Sequence, residues 1–147
     1  MEHINHEGNL ESVLSSFRSQ PAMHLIRATM PVIEIGGTEI HVPHWDGVEQ
    51  QHGFVHGGVV GMIADAAAGY AAMTMVSTEA SVLTAEYKIN FLAPALGEKI
   101  IARGKVVKAG RTLTVTSAEV FAVRGDGESL CAVMQQTMIV VHGMVSR

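Results

Sequence analysis

This chain has one cysteine, four prolines and few aromatic residues, which make up 5% of its 147 positions. With Cys131 alone, no intrachain disulfide can form, which fits a reducing compartment, and a cytoplasmic location is expected. Charge is also sparse: charged residues make up 16% of the chain and the formal net charge is −4. There is no basic excess to neutralise a phosphate backbone, so nucleic acid is not an expected partner. The first residues, MEHINHEGNLES, hold neither a basic segment nor an apolar one, and no signal peptide is expected. Apolar residues, by contrast, are plentiful at 48%, enough for the core of one domain.

The longest apolar run is VHGGVVGMIADAAAGYAAMTMV, from Val55 to Val76, and its one charge is Asp65. The run has the length of a membrane span. It also holds four glycines and many alanines in place of leucines, and an aspartate at mid-span costs roughly 2.5–3.5 kcal/mol. No membrane partner is expected. The run reads as a helix buried on most sides within a folded domain.

Around it the periodicity is informative. Leu10, Val13, Leu14 and Phe17 have helical spacing, and Pro21 should end that helix or closely follow its end. ATMPVIEIGGTEIHVPHWDG reads as two strands joined at Gly36-Gly37, both glycines supplying the positive φ of a tight hairpin. The long helix should begin near Gly57 and end between Ser77 and Glu79. Four period-two runs follow: SVLTAEYKINFLAP, EKIIARGKVVKAG, RTLTVTSAEVFAV and ESLCAVMQQTMIVV. The turns between them are short enough for antiparallel neighbours. The expected fold class is α+β, an antiparallel sheet wrapped around one long central helix, with a second subunit completing the cover. Residues 1–24 form an N-terminal helical segment and residues 25–142 the main body of a single domain.

Chemistry concentrates where the long helix starts. His56-Gly57-Gly58 places two residues without Cβ at a helix N-terminus, where backbone N–H groups lack internal partners and the helix dipole is positive. Such donors suit an oxyanion developing on a thioester or ester carbonyl. Asp65 lies about 12 Å further along the axis at 1.5 Å per residue. One helix cannot readily bring both features to the same atom, but two antiparallel helices related by a two-fold axis can. The residues leave two readings of Asp65 open: a general base or nucleophile, or a carboxylate bonded to a neighbouring strand for structural reasons.

The segments HGGVVGMIADAAAG, EYKINFLAPALGE and ARGKVVKAGRTLTVTSAEVF together resemble the hotdog-fold acyl-CoA thioesterases, specifically the phenylacetate-degradation type. The likeness runs from about Leu25 to Val140. It implies a hotdog fold whose sheets join edge to edge in homodimers, often paired into tetramers, with sites at the subunit interface. It implies hydrolysis of an aryl- or fatty-acyl-CoA, with coenzyme A as part of the substrate and no separate cofactor. By the same resemblance Asp65 activates water or attacks the thioester, Gly57 N–H, with Gly58, polarises its carbonyl across the interface, and Thr84 orients the water. Where many relatives have an asparagine, this chain has Gln50, followed by Gln51 and His52, and either glutamine can face the thioester.

His56 is a candidate general base, but Asp65 fills that role and the histidine more plausibly braces the turn. His41, His44, His52 and His56 have spacings that suggest zinc; no cysteine or carboxylate set accompanies them, and no metal is expected. Arg103, Lys105, Lys108 and Arg111 form a basic cluster suited to coenzyme A phosphates, the alternative being solvated strand edges. Two other functions compete with hydrolysis. A hotdog hydratase or dehydratase would pair a histidine with a carboxylate in another local pattern, and a non-catalytic acyl-CoA-binding protein would not need Asp65.

Overall fold

The computed structural model describes residues 6–144. Helices α1 (His6–Ser19) and α2 (Pro21–Leu25) lead into a hairpin of β1 (Thr29–Glu34) and β2 (Gly37–Pro43). A 3₁₀ turn at Asp46–Val48 precedes the long helix α3 (Gly57–Met73), and four strands complete the chain. They are β3 (Ala80–Phe91), β4 (Lys99–Ala109), β5 (Leu113–Arg124) and β6 (Gly127–His142). All six strands form one antiparallel sheet in the order β1-β2-β4-β5-β6-β3.

Pro21 closely follows the end of α1, as expected, and also opens α2 at the first helical position, where its missing N–H costs nothing. Two expectations need correction. In the β1–β2 turn only Gly36 has positive φ, at 78°, while Gly37 is already in the strand. Helix α3 ends at Met73, short of Ser77–Glu79, because side chains from elsewhere stop it. Thr74 Oγ1 donates to the Ala71 carbonyl and accepts the Gly36 N–H. Buried Asn9 of α1 donates its amide to the Met73, Thr74 and Val76 carbonyls. Carbonyls that a helix end leaves orphaned are thus satisfied by an amide more than sixty positions away, which no local pattern announces.

Helix α3 is buried on most sides, with Val60, Ile63, Ala64, Ala67, Ala68 and Tyr70 all in the core. Its small residues let the sheet come unusually close. Gly104 of β4 lies directly over the helix: a Cβ there would sit 2.5 Å from Ala68 N and closer still to the Ala67 carbonyl. Thr38 Oγ1 of β2 donates to the Ala67 carbonyl at 2.7 Å. Val13 and Phe17 of α1 pack into the same core. One narrow stripe of α3 is left uncovered, with Gly58 and Met62 exposed and Asp65 and Ala66 half-buried.

Beside that stripe runs β3, which pairs with β6 on one side and is the last strand of the sheet on the other. Helix and strand are antiparallel: Gly57 lies beside Phe91, Gly61 beside the Tyr87 hydroxyl and Asp65 against Thr84. Tyr87 and Phe91 are 43% and 56% exposed, too open for core residues. No helix among the described residues is long and apolar enough to cross a membrane.

Candidate active site

Asp65 projects from the uncovered stripe toward β3. Its Oδ1 accepts the Thr84 hydroxyl at 2.6 Å and the side-chain amide of Gln136. Thr84 is aimed at the helix by an irregularity in the β3–β6 register between Thr84 and Glu86, an extra residue that redirects the strand face. Among the described residues, both hydrogen bonds to this carboxylate end on Oδ1. Oδ2 is left for solvent or substrate, and Asp65 and Thr84 border a cavity of about 220 Å³ walled by Ser16, Gln20, Tyr70 and Ser81.

Gln136 was not among the expected site residues. It is fully buried on β6, its amide donates to Asp65 and Thr84, and its carbonyl accepts the Thr116 hydroxyl at 3.0 Å. A signal was present: in ESLCAVMQQTMIVV, alternation puts Gln136 on the same face as Met134 and Met138, a polar residue at a core position.

The other end of α3 forms a second cleft of about 400 Å³, where Gly57 meets Gln50, Phe91, Leu92 and Pro94. Gly57 N–H has no acceptor among the described residues. Gly58 N–H does have one, since it donates to His56 Nδ1 at 2.8 Å. His56 is therefore the N-cap of α3, and the expectation of Gly58 as a free oxyanion donor is corrected. Capping through Nδ1 also commits the nitrogen nearer the helix, which argues against His56 as a base at this end. Of the two glutamines, Gln50 faces the cleft, whereas Gln51 and His52 are exposed and absent from its walls. Cys131 also borders this cleft, but burial pushes its thiol pKa up, which keeps it protonated.

The basic cluster divides. Arg103 is committed within the chain: Nε donates to Glu39 at 2.8 Å, and the two terminal nitrogens clasp Glu128 at 2.7 Å each. Its guanidinium also lies over the Phe121 ring, so the expected phosphate contact is corrected to an internal ion pair. Lys105, Lys108 and Arg111 are exposed at the β4–β5 hairpin and its strands. The histidines find carboxylates after all, His41 on Glu39 and His44 on Glu49. Among the described residues, no group of three or more potential ligands comes together.

The Arg103 network makes a pH prediction. Hydrogen bonding from Arg103 holds Glu128 below its ordinary pKa. For Glu39, burial pushes the pKa up, but hydrogen bonds from His41 and Arg103 outweigh it and the value falls. Groups with lowered folded pKa values stabilise the fold above the unfolded value near 4.5 and lose that contribution as pH falls through the lower folded values. With Arg103 38% exposed, Arg103→Met should cost only about 1 kcal/mol at pH 7. That corresponds to roughly 3 °C in melting temperature. Thermal melts should show the two proteins converging below pH 4.5; a difference that persists or grows there would contradict the assignment.

Comparison with known proteins is consistent with this geometry. The family model for the thioesterase superfamily matches residues 52–129. A thioesterase family protein from Silicibacter pomeroyi is 42% identical in sequence, with a TM-score of 0.88 over 90% of this chain and 98% of its own. The Escherichia coli PaaI protein, from the phenylacetic acid degradation operon, superimposes with a TM-score of 0.81 over 96% of both chains. At 15% identity, that likeness shows a shared fold, the hotdog arrangement of sheet and helix, and no more. A Saccharolobus solfataricus protein named as an esterase is 32% identical over 87 residues, 59% of this chain and 61% of the relative. The chain thus spans about three fifths of the length of the curated relatives it matches.

Proposed function

The chain belongs to the thioesterase superfamily, and from that membership and the site we infer that it hydrolyses an acyl-CoA to the free acid and coenzyme A. The observation that carries the reading is the Asp65 carboxylate at the cavity wall, with Oδ1 held by two donors and Oδ2 open. Oδ2 removes a proton from water as it attacks the thioester carbonyl, or attacks that carbon itself to give an anhydride that water then cleaves. In both routes the C–S bond breaks, the sulfur leaves with a proton, and no electron changes hands.

Charge develops on the carbonyl oxygen, which needs a donor. The free N–H of Gly57, with the Gln50 amide beside it, has the right chemistry but lies about 12 Å along the helix from Asp65. A second copy of the chain supplies it if two α3 stripes cross antiparallel. The exposed Met62, Tyr87 and Phe91 and the free edge of β3 are the surfaces such a homodimer would cover. Lys105, Lys108 and Arg111 are the cations available to coenzyme A phosphates.

Free-thiol release across aryl, short, medium and long acyl-CoAs tests the reading. Thiol release is expected from at least one member of the panel, and Asp65→Asn should lose most of it. No turnover on any member would overturn hydrolysis. Hydration of crotonyl-CoA without thiol release would favour the hydratase reading instead.

A further inference from the structure

The geometry points to Gln136 as the positioning residue that selects which oxygen of Asp65 reacts, with Thr116 setting the orientation of Gln136. This rests on the reading of Asp65 as the reacting carboxylate. Donor and acceptor counts fix the orientation of each group. An ionised carboxylate only accepts, so the side of the Gln136 amide facing Asp65 must be its NH₂ group. Its two hydrogens reach Asp65 Oδ1 and Thr84 Oγ1, and the Thr84 hydroxyl donates a hydrogen bond to the same Oδ1. The Gln136 carbonyl then points the other way and accepts a hydrogen bond from the fully buried Thr116 hydroxyl. Each group has one consistent role, and reversing the amide would set its carbonyl against the carboxylate. Two donors occupy Oδ1 and leave Oδ2 without a hydrogen-bond partner among the described residues.

A buried amide in a sheet facing an apolar helix is costly unless every polar atom is paired. Here the pairing is complete, and it converges on the one charged residue of α3. The supports come from β3, β5 and β6, three adjacent strands, so the carboxylate is held by side chains fixed through sheet register. A leucine at 136 would pack in this core, but it would remove the donor to Asp65 and Thr84 and leave the buried Thr116 hydroxyl without its acceptor.

Measurement of kcat, KM and melting temperature for Gln136→Leu, Gln136→Glu, Thr116→Val and Thr116→Ser tests the assignment. Gln136→Leu should lower kcat about 10- to 100-fold with KM within about threefold of the parent, the pattern for an interaction that matters in the transition state. Gln136→Glu matches glutamine in shape, yet should lose more kcat than leucine at neutral pH. Its carboxyl group would either repel Asp65 or share a proton with it, and both remove the free, oriented charge. A packing role predicts the reverse order. Thr116→Val should lose about fivefold in kcat and Thr116→Ser should restore it; these two decide the matter if a Gln136 variant fails to fold. Folded variants at both positions with parental kcat, or Glu milder than Leu, would overturn the assignment. Loss of the underlying reading looks different: Asp65→Asn would then be active whatever happens at Gln136.

Discussion

Asp65→Asn should lower kcat for acyl-CoA hydrolysis about 10³-fold, within the range that general acid–base groups contribute, while KM changes by less than about threefold. The substitution isolates charge from shape. An asparagine keeps an oxygen where Oδ1 stands, so the Thr84 hydroxyl and the Gln136 amide retain their acceptor. The carboxylate's ability to take a proton or form an acyl bond at Oδ2 is what disappears. The melting temperature should therefore stay within about 3 °C of the parent, since less than about 1 kcal/mol of hydrogen bonding is altered. Thiol release by the variant at more than a third of the parental rate would remove Asp65 from the chemistry. A collapse in melting temperature would show that the carboxylate serves the fold, the second of the two readings its sequence context leaves open.

The largest stability effect belongs to Gly104→Val. A Cβ at this position would overlap the backbone of Ala67 and Ala68, atoms that no change of rotamer can move. The sheet would have to lift from α3 at its centre, where Thr38 also holds the Ala67 carbonyl and Ala102 and Ile100 pack alongside. Overpacking of cores usually costs 1–3 kcal/mol and sometimes more; with backbone on one side and a branched side chain on the other, about 4 kcal/mol or more is expected. For a domain of this length that is a fall of roughly 10 °C or greater. Because Ala67 is two residues from Asp65, the folded fraction should also lose activity. Differential scanning calorimetry showing a melting temperature within about 2 °C of the parent would refute the close approach.

The parts of this architecture that could be read from sequence are those that depend on local pattern. The period-two runs located β3 to β6, and the apolar run with its glycine pair located the start of α3, because alternation and capping are properties of neighbouring residues. The end of α3 was placed too late because the atoms that stop it belong to Asn9 and Gly36, distant in sequence. Arg103 failed as a phosphate ligand for the same kind of reason: its carboxylates lie 64 and 25 positions away. Gln136 carried a legible signal, a polar residue on a core-facing alternation, but its partners Asp65, Thr84 and Thr116 come from three separate elements. The carboxylate is visible in the sequence, and the hydrogen bonds that orient it appear only once strands are paired.

The separation of the two clefts along α3 has a consequence for how this protein can change. The carboxylate's supports are strand residues, Thr84, Thr116 and Gln136, fixed by sheet register. The Gly57 cleft is bordered by connecting segments, Gln50 to Val55 and Leu92 to Ala95, where insertion and substitution are tolerated best. The wall of the cavity beside Asp65 draws on α1 and its following turn through Ser16 and Gln20. Substitutions on a helix face or in a loop can therefore reshape either cleft while the strand residues that hold Asp65 stay untouched. Under the proposed hydrolysis, heritable variation in substrate choice is uncoupled from the carboxylate that acts on the thioester.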